Sequence, residues 1–255
     1  MADDKDKILK ADRFVSHPGD GAAANLRKRF YETASARPDE EGFVIELDGR
    51  PVKTPARATL TVPTGSLGEV IAEEWNAQET HIVPENMLVT KLANTALDRV
   101  APRKDEVVAE IAIFGESDLL CYRAESPESL VTRQAEEWDP MLEWLEHQYQ
   151  ARLELASGVI FREQPSADLA RLRDAVASRS EFELAGLHQA VSLSGSLVLG
   201  LALIDGQIAA DRAYELAHLD ETWQAERWGW DEEAQARLEE RRKMLNATAK
   251  YLELL

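Results

Sequence analysis

The sequence predicts an α+β fold: an N-terminal domain with an antiparallel β-sheet plus helices, then a C-terminal all-α helical domain. Three observations carry that prediction. Residues 29–63 hold short β-rich runs separated by turn signals, helical periodicity takes over at Ser66, and beyond Ser126-Pro127 almost every segment reads as helix. A chain of 255 residues, 44% hydrophobic and 30% charged, can bury a sizeable core, and at roughly 150 residues per domain its length suggests two domains. The expected boundary separates residues 1–124 from 125–255.

Residues 1–10 have neither the apolar core of a secretory signal nor the Arg- and Ser-rich, acid-poor character of an organelle transit peptide. They read as the start of a bacterial-type cytosolic protein. Phe30-Tyr31-Glu32-Thr33 alternates, Phe43-Val44-Ile45-Glu46-Leu47 is β-rich, and Asp48-Gly49 is a hairpin dipeptide. Val52 to Thr54 and Leu60-Thr61-Val62 supply two more short strands, punctuated by Pro51, Pro55 and Pro63. Ser66-Leu67-Gly68-Glu69 is a capping-box pattern, and it opens a helix reaching Gln78 that carries Val70, Ile71 and Trp75. Pro84 precedes a periodic stretch with Met87, Leu88, Leu92, Ala96 and Leu97, and Pro102 opens another with Val107, Val108, Ile111 and Ile113. A short strand over Asp118-Leu119-Leu120-Cys121-Tyr122 is expected to return the chain to the sheet.

Ser126-Pro127 places an N-cap before a proline at the first helical position, and Asp139-Pro140 predicts a kink or fresh start in the helix that follows. Helices over residues 167–178, 182–204, 211–228 and 231–254 complete the chain, with Gly206 as a tight connection. The apolar run 190–204 contains Ser192, Ser194, Gly195, Ser196 and Gly200. It falls short of the roughly 17–25 residues a bilayer needs and reads as a buried helix.

The formal charge of −18 and a pI near 4.7 disfavour nucleic acid and anionic lipid surfaces as partners. No G-x-G-x-x-G or G-x-x-x-x-G-K-[ST] follows a strand, so nucleotide hydrolysis is not expected, nor is a cofactor or a stable small-molecule ligand. The single cysteine, Cys121, can form neither an internal disulfide nor a cysteine zinc cluster, which fits a reducing compartment. Catalysis by its thiol stays open at this level.

Of the five histidines, only His218 falls in a metal-like spacing, Glu215-Leu-Ala-His218. A di-iron bundle needs a second Glu-x-x-His and further glutamates, and no second one exists, so the segment reads as an ordinary surface helix. A metal-dependent helical-bundle enzyme using Glu215 and His218 is the alternative function. Ser194-Gly195-Ser196 lies inside a helical run rather than at a nucleophile elbow. Ser192, Ser196 and Gly200 recur every four residues as a small-residue stripe, read as internal helix packing with a partner helix as the other reading. The six tryptophans default to the core, except that Trp228-Gly229-Trp230-Asp231 looks like a helix end followed by a new N-cap and should expose at least one indole. Acidic pairs such as Glu73-Glu74, Glu136-Glu137 and Asp220-Glu221 read as solvated faces able to steer a basic client.

Four strings then fall in a characteristic order. They are Glu74-Trp75-Asn76-Ala77-Gln78; Leu92-Ala93-Asn94-Thr95-Ala96-Leu97-Asp98; Gln134 through Trp138-Asp139-Pro140; and Leu219-Asp220-Glu221-Thr222-Trp223-Gln224 leading to Arg227-Trp228-Gly229. From about residue 29 to the last helix the chain resembles the ATP synthase assembly chaperones that serve the alpha subunit of the soluble F-type catalytic sector in mitochondria and some bacteria. The resemblance implies a non-enzyme with no catalytic residues and no bound metal. It implies a protein that binds unassembled alpha subunit, masks the surface later given to the beta subunit, and leaves when beta arrives. An unassembled ring subunit exposes a large apolar interface that aggregates if unmasked. By the same resemblance Glu221 stands at a functionally sensitive acidic position, with Asp220, Gln224 and Trp228 beside it in client binding. Trp75, Gln78, Asn94 and Asp98 are motif members with structural or binding roles; Trp75→Ala should cost about 3–5 kcal/mol if that indole is fully buried. The implied location is the bacterial cytoplasm, the relatives being in the mitochondrial matrix.

Overall fold

The computed structural model describes residues 26–158 and 161–255; residues 1–10, considered above, and His17, one of the five histidines, lie outside them. Strands β1 (Ala34–Asp39) and β2 (Gly42–Leu47) pair antiparallel from Ala34↔Leu47 to Asp39↔Gly42. The other edge of β2 takes β3 (Arg50–Pro51) and β4 (Thr61–Val62), giving a four-stranded sheet centred on β2. Asp48 and Gly49 both have positive φ, 48° and 73°, as a two-residue hairpin of matching twist requires.

The first strand starts four residues later than the alternation at Phe30 suggested. The backbone amides of Glu32 and Thr33 are taken by the Asp48 carboxylate, and the Arg29 guanidinium holds the carbonyls of Tyr31 and Gln78. Those groups therefore need no ladder partner.

Helix α1 (Gly65–Asn76) lays Leu67 and Ile71, both fully buried, against Ile45 and Leu60 of the sheet. Its cap is Thr64 rather than Ser66: the Thr64 hydroxyl accepts from the Leu67 amide at 3.2 Å and donates to the Leu254 carbonyl. Helix α2 (Leu88–Thr95) passes through a π-helical turn, Ala96–Val100, and a 3-10 turn into α3 (Lys104–Ala112).

The segment expected to return to the sheet does not. Leu119–Cys121 is a 3-10 turn, and β5 (Tyr122–Arg123) pairs parallel with β6 (Ala156–Ser157) in a separate two-stranded ladder. Asp118 explains the turn. Its buried carboxylate accepts from the amide of Leu120 at 3.0 Å, the hydroxyl of Ser196 at 2.7 Å and the amide of Val198 at 3.0 Å, pinning the turn to the start of a later helix.

Helix α4 (Glu128–Tyr149) follows, with Pro127 rather than Ser126 at its N-cap. It runs unbroken through Pro140, against the expected kink or fresh start. Leu130, Gln134, Trp138, Met141 and Leu145 line one buried face on both sides of the proline, and that burial outweighs the roughly 3 kcal/mol of a missing helical hydrogen bond.

Helices α5 (Ser166–Ala177), α6 (Glu181–Ser194), α7 (Leu197–Ile204), α8 (Ala210–Ala217), α9 (Leu219–Trp228) and α10 (Glu232–Glu253) complete the described chain. The expected single helix over 182–204 is two: Gly195 adopts φ 71° as the C-cap of α6, and Ser196 caps α7 by accepting from the Leu199 amide. The Ser192, Ser196 and Gly200 stripe is therefore not one helix face. Ser192 is exposed, while Gly200 lets α7 sit on α6; a Cβ there would come within 2.4 Å of Val191 Cγ2. The helix over 211–228 likewise breaks, at His218.

Hydrophobic packing runs across residues 124 and 125. Val107, Ile111, Leu120 and Cys121 share a core with Trp138, Leu145, Leu187 and Leu201. Tyr251 of the last helix joins the sheet core with Ile45 and Ile71 and donates its hydroxyl to the Phe182 carbonyl at 3.0 Å. Among the described residues no helix is long and apolar enough to cross a membrane.

Candidate functional site

The motif residues fall into two groups, and the first is structural. Glu74 caps the start of α2 by accepting from the amides of Val89 at 2.8 Å and Thr90 at 2.7 Å and from the Thr90 hydroxyl at 2.6 Å, where a negative charge also complements the helix dipole. Asn76 grips both backbone groups of Ala34 at the start of β1, at 2.8 and 2.9 Å. Gln78 accepts from the Val83 amide and donates to the Glu74 carbonyl. Trp75 contributes its carbonyl to the Tyr31 hydroxyl at 2.6 Å and its ring edge to Tyr31 at 5.6 Å. Asp98 accepts from Thr54 Oγ1 at 2.6 Å and the Ala56 amide at 2.9 Å, holding a turn that contains Arg57 at φ 70°. Asn94 sits part-buried on α2.

Trp75 is part-buried, so Trp75→Ala is expected to cost about 2 kcal/mol in urea denaturation, below the ~3–5 kcal/mol of a fully buried indole.

The second group sits on α9. His218, at the break between α8 and α9, is buried, stacks obliquely on Tyr214 at 4.8 Å and places Nδ1 3.8 Å from Glu221 Oε1. Glu215 turns away to Arg212 at 3.4 Å. The Glu215 and His218 pair is thus not the surface pair its spacing suggested, and no group of three or more His, Cys, Asp or Glu able to hold a metal occurs among the described residues. Cys121 is fully buried, and burial pushes its thiol far above the ordinary range, the reverse of what a nucleophile needs.

Asp220 faces inward. It accepts from Gln134 Nε2 at 2.8 Å, and Gln134 Oε1 accepts from the Ala124 amide at 2.8 Å, so the pair ties α9 to α4 and to the segment ahead of it. Burial raises the Asp220 carboxyl above its usual range. Glu221, Gln224 and Trp228 face outward together, because spacings of three and four residues place them on one helix face. The neighbouring His218 imidazole is the largest cause holding the Glu221 carboxyl below its ordinary value.

Trp228 is 74% exposed, the most exposed large hydrophobic side chain among the described residues. It is not loose: its ring meets Trp223 edge-on at 5.8 Å, and the Arg227 guanidinium covers the Trp223 ring at 3.8 Å. Arg227 also reaches Ser129 Oγ, and Arg133 pairs with Glu226 at 2.7 Å, so the opposite side of α9 is fastened to α4. A rigid exposed indole beside a carboxylate and an amide has the composition of a protein-binding hot spot. Sequence reading missed Gln134 and Asp118 as organising residues; their partners lie 86 and 78 residues away.

Residues 28–146 match a family model described as ATP12 chaperone protein. The crystal structure of Atp12 from Paracoccus denitrificans is similar over 89% of this chain and 98% of that one, with 42% sequence identity and a TM-score of 0.86. The crystal structure of the Atu1473 protein from Agrobacterium tumefaciens is 40% identical, covers 98% of this chain and 96% of its own, and has a TM-score of 0.86. The mitochondrial protein atp12 of Schizosaccharomyces pombe is 26% identical over 219 residues, covering 81% of this chain and 75% of its own length. The two crystal structures share the α+β arrangement of sheet and helices described above.

Proposed function

This chain belongs to the ATP12 chaperone family, and we propose that within ATP synthase assembly it binds the unassembled alpha subunit of the F-type catalytic sector and masks that subunit's interface until the beta subunit displaces it. The observation that carries this reading is the outward face of α9, where Glu221, Gln224 and Trp228 are presented together on a helix whose other side is clamped to α4. An exposed tryptophan supplies apolar area with little entropy left to lose, and the carboxylate fixes orientation and partner choice. Asp220 holds this surface in place rather than meeting the client. The role needs no catalytic residue and no cofactor, since the incoming subunit supplies the displacement energy. The higher identity to the two bacterial proteins than to the mitochondrial one supports a bacterial cytoplasmic setting.

Glu221→Lys is the test. The Glu221 side chain is 55% exposed, so the variant should fold with an unchanged circular dichroism spectrum. Its affinity for isolated alpha subunit, read by size-exclusion capture and by suppression of light scattering from aggregating subunit, should fall about tenfold or more. Unchanged capture would remove α9 as the client surface, and no capture by the unmodified chain would remove the proposal itself.

A further inference from the structure

Beside α9 a cleft of about 380 Å³ opens between α4, α8, α9 and the first half of α10. Tyr214, Leu216 and Leu219 form its apolar floor, and Trp230 and Leu238 stand along its outer wall. Leu219 and Thr222 line it, so it lies on a different face of α9 from Glu221, Gln224 and Trp228. A cleft of this size takes roughly two or three large side chains but not an entire helix.

The outer wall is sparsely held. From Glu232 to Lys243 helix α10 has no buried residue, and the first is Leu245. That is about three turns of helix with Leu238 as their apolar contribution to the cleft. Trp230 remains 47% exposed at its mouth. Arg242 ties this arm to α8 by pairing with Asp211 at 2.9 Å, yet the arm gains little from apolar packing of its own, so an occupant that covered Leu238 and Trp230 would bury surface the chain leaves wet.

The rim is acidic. Glu128, Glu136, Glu137, Glu215 and Glu239 surround the cleft or the adjoining face of α4. Arg133 pairs with Glu226, and Arg212 with both Glu137 and Glu215, which leaves Glu128, Glu136 and Glu239 as the rim carboxylates outside these ion pairs. Charge complementarity therefore selects a cationic occupant.

We infer that this cleft is a second client contact, taking apolar side chains from a segment of the client flanked by lysine or arginine. The inference rests on the client reading above and adds an anchor site on the other side of α9. Buried apolar anchors supply affinity there, and the carboxylates select basic flanks and speed encounter, so binding weakens as salt screens them.

Two probes test it in parallel on the full chain. One is a leucine-and-lysine peptide measured by calorimetry against the same peptide with glutamate in place of lysine, and the other is isolated alpha subunit. The lysine peptide should bind in a salt-dependent way and the glutamate peptide should not. Leu238→Asp and Trp230→Ala, each verified as folded by thermal melting, should weaken peptide binding about tenfold, while Glu69→Gln, an exposed carboxylate on α1 that does not line the cleft, leaves it within about twofold. Equal affinity for the two peptides, or no loss with Leu238→Asp, would overturn the cleft assignment. Absence of alpha-subunit capture by the unmodified chain would overturn the client reading separately, with the peptide data still deciding the cleft.

Discussion

Trp138→Ala should lower the free energy of unfolding by about 5 kcal/mol, enough to leave much of the protein unfolded at 37 °C. Trp138 is 1% exposed at the centre of α4, donates Nε1 to the Leu216 carbonyl at 3.0 Å and lies beneath the Arg123 guanidinium at 5.3 Å. Truncation removes a large buried surface, opens a cavity that helices on several sides cannot close, and strands the Leu216 carbonyl. Trp138→Phe should recover most of the packing and isolate the cost of the lost hydrogen bond, about 1–3 kcal/mol. Urea denaturation followed by circular dichroism would give both values. A loss below about 2 kcal/mol for Trp138→Ala would mean that this part of the core is not formed as described.

The second large effect belongs to Asp118. Its side chain is fully buried and accepts from Leu120, Ser196 and Val198, so Asp118→Ala leaves two backbone amides and a hydroxyl without a partner inside the core. At about 1–3 kcal/mol for each stranded buried group, partly relieved by relaxation, the expected loss is about 3–5 kcal/mol. The same carboxyl carries a pH signature. Burial pushes it up to about 6 from an ordinary 3.8, against the lowering effect of its hydrogen bonds, of which that from Val198 is the largest. Between those values the native state holds a proton that the unfolded chain releases. The resulting stability is complete below pH 3.8 and is lost as pH rises through 6. The unmodified chain should therefore lose stability relative to Asp118→Asn, which keeps the neutral shape and cannot titrate, as pH rises from 4 to 7, with the denaturation midpoints closest at the acid end. Parallel curves would show that this carboxyl does not titrate there.

Both residues were visible in the sequence without their importance being visible. Trp138 was noticed as one of six tryptophans and as part of a motif string, yet its partner Leu216 lies 78 residues on. Asp118 read as the start of a strand because Leu119-Leu120-Cys121-Tyr122 has β composition; its carboxylate overrides that preference by fixing a turn against the first turn of α7. The motif strings divided in a way that spacing could not foresee. Glu74, Asn76, Gln78 and Asp98 spend their polar atoms on backbone groups of other elements, while Glu221, Gln224 and Trp228 leave theirs facing out. Asp220 and Glu221 are neighbours with the same chemistry, and the turn of one helix sends the first to Gln134 and the second to a half-exposed position beside His218.

By itself the sequence determined what local physics can determine. Asp48-Gly49 set the hairpin because only certain residues tolerate positive φ. The 3.6-residue periodicity marked most helices, Gly229 and Asp231 ended one helix and capped the next, and the acidic excess ruled partners in and out. Tertiary structure decided whatever depended on burial by distant residues. It carried α4 through Pro140, divided the helices at Gly195 and His218, brought Tyr251 back to the sheet core, and chose which carboxylates became clasps and which stayed at the surface. Propensities differ by about a kilocalorie per residue, whereas burying a large side chain or stranding a buried polar group changes the free energy by several, so where the two conflict the packing prevails.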